Sequence, residues 1–286
     1  MKLMKKIFLM KISILAVLIG FITLSYGQDT TSSKTYYENG LVKYKAKDYN
    51  GAIEDFNKAI EKNPDQAVFY YYRGNCKRVG TNDLQAALAD YNIAIKNNAE
   101  NMDYFLERAQ TKMALKDTAG ATADYTTIIG KKPTDKVYFE RAKIKMATKD
   151  FKGAIEDFKA AIDLKADFYE AYNLRGKAKL SDKDTTGALA DFNKAIELKP
   201  DFIFAYNNRA FVKMRQKDFE GAKSDYTKVI ELKPTDGMSY IQRGKLEVRM
   251  KLKEEACTDF NKAKELGSAN ADEMLTRYCK DKQQPK

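Results

Sequence analysis

The chain has 286 residues, of which 44% are hydrophobic and 32% charged, with a formal net charge of +11. That balance supports a folded core, and five prolines with fifteen glycines leave little room for long loops. With no histidine, no tryptophan and only three cysteines, histidine-dependent catalytic triads, the common histidine metal sites and a zinc framework are excluded.

The N-terminus differs from the rest. Lys2, Lys5, Lys6 and Lys11 form a basic start without an acid, Ile12 to Leu24 is almost unbroken apolar sequence, and Ser25-Tyr26-Gly27 supplies small residues before Gln28. This is the layout of a secretory signal peptide over residues 1–27. The apolar run is short for a membrane span, which needs about 20 residues; an uncleaved N-terminal anchor is the competing reading. No cysteine stands near the cleavage point, which speaks against a lipid anchor. Cleavage lowers the formal charge from +11 to +7. The mature protein is expected to be exported, periplasmic or secreted, with no stable span after signal removal. Its lysines are spread along the chain, so a solvated surface is expected and nucleic acid is not an expected partner. Residues 28–34 read as a short linker.

From 35 to 267 one phrase recurs seven times. Its alanines are Ala52, Ala87, Ala121, Ala154, Ala188, Ala222 and Ala256, at a period near 34 residues. A fixed period of that length with helical patterning means stacked helix-turn-helix units. In the clearest copy, helix A covers about Glu170 to Leu180, the turn is Ser181–Asp184, and helix B runs about Thr186 to Leu198 before Pro200 stops it. Ala188, Phe192, Ala195 and Ile196 mark the apolar face of helix B. Gly40, Gly74, Ala109, Ala142, Gly176, Ala210 and Gly244 share one helix-A position and allow close approach. Two aromatic rows, Tyr36 to Tyr240 in helix A and Phe56 to Phe260 in helix B, are expected to fill the core.

The succession of aromatic, Gly/Ala, Ala, aromatic, Ala and Pro at this spacing resembles the tetratricopeptide repeat. The resemblance covers about four fifths of the chain. It departs where Tyr or Phe replaces the usual helix-A tryptophan and where Ala99, Ala166 and Ser268 replace the closing proline. It implies an all-α, right-handed superhelical solenoid of seven repeats plus a C-terminal capping helix. It also implies a concave groove, lined by helix A, that binds protein or peptide segments.

Carried over residue by residue, the implied groove positions include Tyr71, Asn75, Phe139, Lys143, Asn173, Lys177, Phe204, Asn207, Phe211, Met214 and Lys245. Tyr37, Leu41, Tyr44, Arg78, Met238 and Ile241 fall at equivalent places. Aromatics, Met and Asn with few acids form an adaptable peptide surface. Phe204, Phe211 and Met214 cluster in the sixth repeat beside Asn207, with no obvious core duty. Some relatives clamp a C-terminal carboxylate with Lys, Asn and Arg on successive A helices. Here Met238 and Gln242 replace the later basic residues, so that set is missing.

Charge repeats as well. An aspartate precedes each helix-B aromatic, from Asp55 to Asp259, and an arginine precedes the helix-A Gly/Ala from Arg73 to Arg243. The first repeat has Asn39 there, and Arg277 continues the phase past the last repeat. This predicts a ladder in which each Asp pairs with the Arg of the next repeat, Asp191 with Arg209 for instance. Residues 268–281 keep a helix-A phase, with Met274 at the aromatic position, and read as the cap; residues 282–286 read as a polar tail. In an antiparallel hairpin, residues at one level share a constant sum, and the pairs Asp259/Arg277 and Cys257/Cys279 share theirs. A Cys257–Cys279 disulfide therefore fits by level, although two residues along a helix turn about 200° and facing does not follow. Cys76 is expected to be a buried free thiol.

No Gly-rich phosphate loop or metal-ligand spacing is present. The pairs Glu54-Asp55 and Glu156-Asp157 are adjacent on a helix and point apart. No cofactor and no enzymatic activity are predicted. The expected function is a protein-binding scaffold, with an accessory subunit of an envelope enzyme or transport complex as the alternative.

Overall fold

The computed structural model describes residues 30–280. The expected export signal and the polar tail lie outside them. The fold is an all-α repeat solenoid: among the described residues there are fifteen α-helices and no strand. The chain divides into two compact units, up to Lys132 and from Pro133 onward.

In the first unit the helices are α1 (Thr30–Lys45), α2 (Tyr49–Lys62), α3 (Ala67–Cys76), α4 (Leu84–Asn97), α5 (Met102–Ala114) and α6 (Thr118–Lys131). The second holds α7 (Asp135–Ala147), α8 (Phe151–Leu164), α9 (Tyr169–Ser181), α10 (Thr185–Leu198), α11 (Ile203–Arg215), α12 (Phe219–Leu232), α13 (Gly237–Arg249), α14 (Lys253–Glu265) and the cap α15 (Ala271–Tyr278). Odd-numbered helices up to α13 are the A helices and even-numbered ones the B helices. The stretch expected as a linker, 28–34, is thus helical from Thr30.

One device makes every A-to-B turn. Helix A ends in a lysine or asparagine with positive φ: Lys47, Asn82, Lys116, Lys149, Lys183, Lys217 and Lys251. The next residue, usually Asp, donates its N–H back into helix A, as from Asp117 to the Lys112 carbonyl at 2.8 Å. Together with the bond from Lys116 N–H to the Met113 carbonyl, this closes the helix in a Schellman turn. The same aspartate then caps helix B, its carboxylate accepting from Gly120 N–H at 2.8 Å. Asp48, Asp83, Asp150, Asp184 and Asp218 do likewise. The seventh repeat has Leu252 there and no side-chain cap.

The second repeat carries one extra residue, and the structure places it in the A helix. Lys77–Thr81 form a π-helical turn that continues α3, after which Asn82 takes up the left-handed position.

Ala52, Ala87, Ala121, Ala154, Ala188, Ala222 and Ala256 are fully buried, and so are Phe56, Tyr91, Phe158, Phe192 and Phe260. Each helix-B ring lies against the small residue of its own helix A. A Cβ on Gly176 would fall 2.7 Å from the Phe192 ring and 3.1 Å from the Ala188 carbonyl oxygen. The helix-A aromatics differ: Tyr70, Phe105 and Tyr206 are buried, whereas Tyr36, Tyr138, Tyr172 and Tyr240 are half-buried. In repeats two to seven the arginine three residues on lies over the ring, as Arg175 does over Tyr172 at 5.3 Å from the centroid.

The expected Asp–Arg ladder runs the other way. Asp191 pairs with Arg175 of its own repeat, its two oxygens accepting from Nε at 2.9 Å and Nη2 at 2.7 Å. Arg209 takes Asp225 in the same bidentate form, at 3.0 and 2.6 Å. The reason is register. Phe192 packs on Gly176, and the residues just before them, Asp191 and Arg175, meet at the same level of the hairpin. In repeats two to six a lysine four residues after the arginine joins the cluster, Lys179 reaching Asp191 at 2.9 Å and Lys213 reaching Asp225 at 3.0 Å. The first repeat, which lacks the arginine, uses this lysine alone: Lys43 lies 2.8 Å from Asp55. Contact between repeats runs backward, through asparagine in repeats two, three and six and through Thr227 in the seventh. Arg73 also donates to Asn57 of the preceding B helix at 2.7 Å, and Arg209 to Asn193 at 2.7 Å. Arg277 continues no ladder; it lies 3.9 Å from Glu273 of its own helix, both exposed.

At the C-terminus, α15 lays Ala271 and Met274 on Ile241, Phe260 and Ala263. Cys257 of α14 and Cys279 are joined by a disulfide with Cα atoms 5.7 Å apart, within the ~7 Å limit for a bridge. Cys76 is free and buried, and burial pushes its thiol up to about 12.

Candidate functional site

The A helices place the implied groove residues in three different situations. In the first unit they form an aromatic layer. Tyr37 lies 5.1 Å from Phe69 and 5.8 Å from Tyr72, and Tyr71 lies 5.0 Å from Tyr104 and 6.3 Å from Tyr91. Burial, with Tyr72 adding to it, raises the Tyr37 hydroxyl to about 12. Leu41 and Tyr44 pack on the Ala52–Phe56–Cys76 core. Asn75 is buried and accepts from the Tyr91 hydroxyl at 2.7 Å. Arg78, on the π-helical turn, is held by Glu107 of α5. The rings of this face are spent on neighbouring helices and so are most of its polar groups, Arg78 Nε being buried without a hydrogen-bond partner among the described residues.

In the second unit Phe139 is core-bound as well, with ring centroids 4.7 Å from Phe168 and 5.7 Å from Phe158. Lys143 lies over its ring and pairs with Glu140 at 2.9 Å. Asn173 is buried and accepts from the Asn208 amide at 2.8 Å. Ile241, implied as a groove residue, is fully buried instead, because it faces the cap and Phe260.

α11 and α13 are different. Phe204 is 67% exposed, Phe211 46% and Met238 47%. Beside them lies an open hollow of about 390 Å³, lined by Asn207, Asn208, Phe211, Tyr226, Met238 and Gln242, with Asp236 and Ser239 at one end. Met214 is half-buried below it and accepts a weak bond from the Tyr226 hydroxyl at 3.7 Å. Lys177 is exposed and Lys245 half-buried. The structure therefore brings Asn207, Phe211, Met238 and Gln242 together and consigns Tyr71, Asn75, Phe139 and Asn173 to packing. Asn208 and Gln242 join the set, and their amide chemistry in the helix-A row was the only sequence signal for them.

Sequence reasoning missed the lysine of the polar cluster and its exception. In the seventh repeat that place is Glu247, which is 2% exposed. It pairs at 3.1 Å with Lys223 of the preceding B helix, where other repeats carry Ile, Leu, Thr or Cys. Burial raises the Glu247 carboxyl against the hydrogen bond from Lys223, and nearby Asp259 adds to the rise. Among the described residues no group of His, Cys, Asp and Glu side chains is arranged to hold a metal, and no helix is long and apolar enough to cross a membrane.

Three family profiles match the chain: one described as TPR repeat over residues 40–76, and two described as tetratricopeptide repeat over 139–201 and 205–236. Serine/threonine-protein phosphatase 5 of Rattus norvegicus is 36% identical over 93 residues, 32% of this chain. That match spans 18% of the phosphatase, and the human protein gives 37% over the same length and share. A tetratricopeptide repeat protein from Parabacteroides merdae aligns with TM-score 0.61 at 22% identity, covering 87% of this chain and 100% of that one. The C-terminal part of a TPR repeat-containing protein from Cytophaga hutchinsonii gives 0.72 at 20%, covering 84% and 99%. YrrB, described as a TPR protein with an unusual peptide-binding site, gives 0.56 at 20%, covering 64% and 94%.

Proposed function

We propose, for a chain that belongs to the tetratricopeptide repeat family, a non-enzymatic scaffold that binds a peptide or protein segment on the A-helix faces of α11 and α13. The observation that carries this reading is Phe211 and Met238 left half-exposed on the rim of the 390 Å³ hollow. Aromatic and Met side chains are enriched at the cores of protein interfaces, and truncating one that acts as a hot spot costs about 2 kcal/mol or more. The peptide-binding description of YrrB supports it at the level of fold. We place this binding outside the cytoplasm, on the strength of the basic, apolar and small-residue succession over 1–27.

The test uses the chain from Gln28 as bait in envelope extract, beside the double variant Phe211→Ala with Asn207→Ala. Partner capture falls while Tm stays nearly fixed if the hollow is the site. Capture that survives, or a variant that unfolds, removes the assignment. Mass spectrometry of the native protein decides export separately: a mature N-terminus at Gln28 is expected, and a retained Met1 in the membrane fraction favours the anchor.

A further inference from the structure

The faces of α9, α11 and α13 carry uncompensated positive charge on one edge and apolar groups on the other. On α11, Arg209 and Lys213 are spent on Asp225, at 2.6 and 3.0 Å. On α13, Arg243 is spent on Asp259 at 2.7 Å. Lys177, Arg215, Lys245 and Arg249 remain, and none has an ion-pair partner among the described residues. Acids offset them little. α11 contains none, α13 has only the buried Glu247 that Lys223 already neutralises, and α9 has only Glu170 in its first turn. Asp236, which lines the hollow, stands at the N-cap of α13 beside Met238, at the opposite end of the helix from Arg249, and accepts from the Ser239 hydroxyl.

The positions are ordered. Residues 204, 208, 211 and 215 lie on one face of α11, and 238, 242, 245 and 249 are the same face one repeat later. Near the helix N-termini this face shows Phe204 and Met238. The middle shows the amides of Asn208 and Gln242. Next comes Phe211, at the level of Lys177 and Lys245. The helix C-termini show Arg215, which lies 5.8 Å from the Phe211 ring centroid, and Arg249.

We propose that this face, taken as the binding site above, selects an extended segment that alternates apolar and acidic side chains. Alternate side chains of an extended chain point to opposite sides. A segment lying across the A helices would turn its apolar side chains to Phe204 and Met238. Its carboxylates would turn to Lys177, Lys245, Arg215 and Arg249, and its backbone would run over Asn208 and Gln242. Charge complementarity of this kind sets specificity and on-rate. The inference rests on the site reading of the preceding subsection and adds the chemistry of the occupant.

Fluorescence anisotropy of the chain from Gln28 with labelled synthetic peptides tests it. One peptide alternates leucine and glutamate, a second leucine and glutamine, a third leucine and lysine. The glutamate peptide should bind about tenfold tighter than the glutamine peptide at low salt, the gap closing as added salt shortens the screening length. The variant Arg215→Glu with Arg249→Glu should reverse the order in favour of the lysine peptide at unchanged Tm. If that variant does not fold, Lys245→Glu alone should lose most of the glutamate preference. Equal affinity for the glutamate and glutamine peptides, or no reversal, overturns the inference. Should both bind equally yet be lost in Phe211→Ala with Asn207→Ala, the site stands and only its charge preference falls. No binding by any of the three also overturns it, leaving the site itself to cross-linking at Phe211.

Discussion

At the scale of single residues, the recurring Arg–Asp–Lys cluster holds each hairpin in register. Asp191 has almost no exposure, so its charge is stable only while Arg175 and Lys179 surround it. Removing one partner of a buried pair leaves the other charged and unpaired, at about 3 kcal/mol or more. Asp191→Asn should therefore lower unfolding stability by about 3 kcal/mol. A double-mutant cycle in urea should show coupling with Arg175→Gln, while Asp191 and Arg209 changes add within about 0.5 kcal/mol. Coupling to Arg209 instead would restore the between-repeat ladder. The sequence displayed both halves of the pair but not their direction, since Asp191 lies at similar distances in sequence from Arg175 and Arg209. Only the contact of Phe192 with Gly176 decides it. A second residue-scale prediction concerns Lys183, held at φ +70° in its turn. Glycine adopts that conformation without the Cβ penalty, so Lys183→Gly should raise stability by about 1 kcal/mol, read from the urea midpoint.

At the scale of elements, the seventh repeat and the cap differ from the rest. Glu247 replaces the cluster lysine and is neutralised from the preceding helix by Lys223. Its folded-state carboxyl is raised by burial, so it binds its proton more tightly folded than unfolded. Stability from this group is full below the ordinary carboxylate range and is lost as pH rises through the raised value. Replacement by Gln should flatten that part of the stability–pH profile, and an unchanged profile would contradict the burial argument. The cap depends on the Cys257–Cys279 bridge, which closes a separation of 22 residues. A loop of that length is worth about 3 kcal/mol in the chain-entropy view. Reduction, or Cys279→Ser, should sharply raise hydrogen exchange in α15 and leave α7–α10 unchanged. The helical phase of 268–281 was visible because Met274 keeps the aromatic register. The π-helical turn was not visible: a period one residue longer shows that a residue was added but not whether a helix or a loop takes it.

At the scale of the whole molecule, the solenoid was readable because each repeat states the same small-residue and aromatic contacts, and their errors average out over seven copies. The binding face was readable only as a row of positions. Whether a ring in that row is packed or open depends on what the next helix presents. Phe139 finds Phe168 at 4.7 Å and is consumed, whereas Phe211 meets amides and Met238 and stays open. The central claim is that function resides on that open face. The most direct measurement places a photo-cross-linking amino acid at Phe211, or at the half-buried Lys228 of α12, in the full chain within its own cells. The account predicts a discrete cross-linked partner from position 211 and none from 228. Cross-linking confined to position 228 would contradict it.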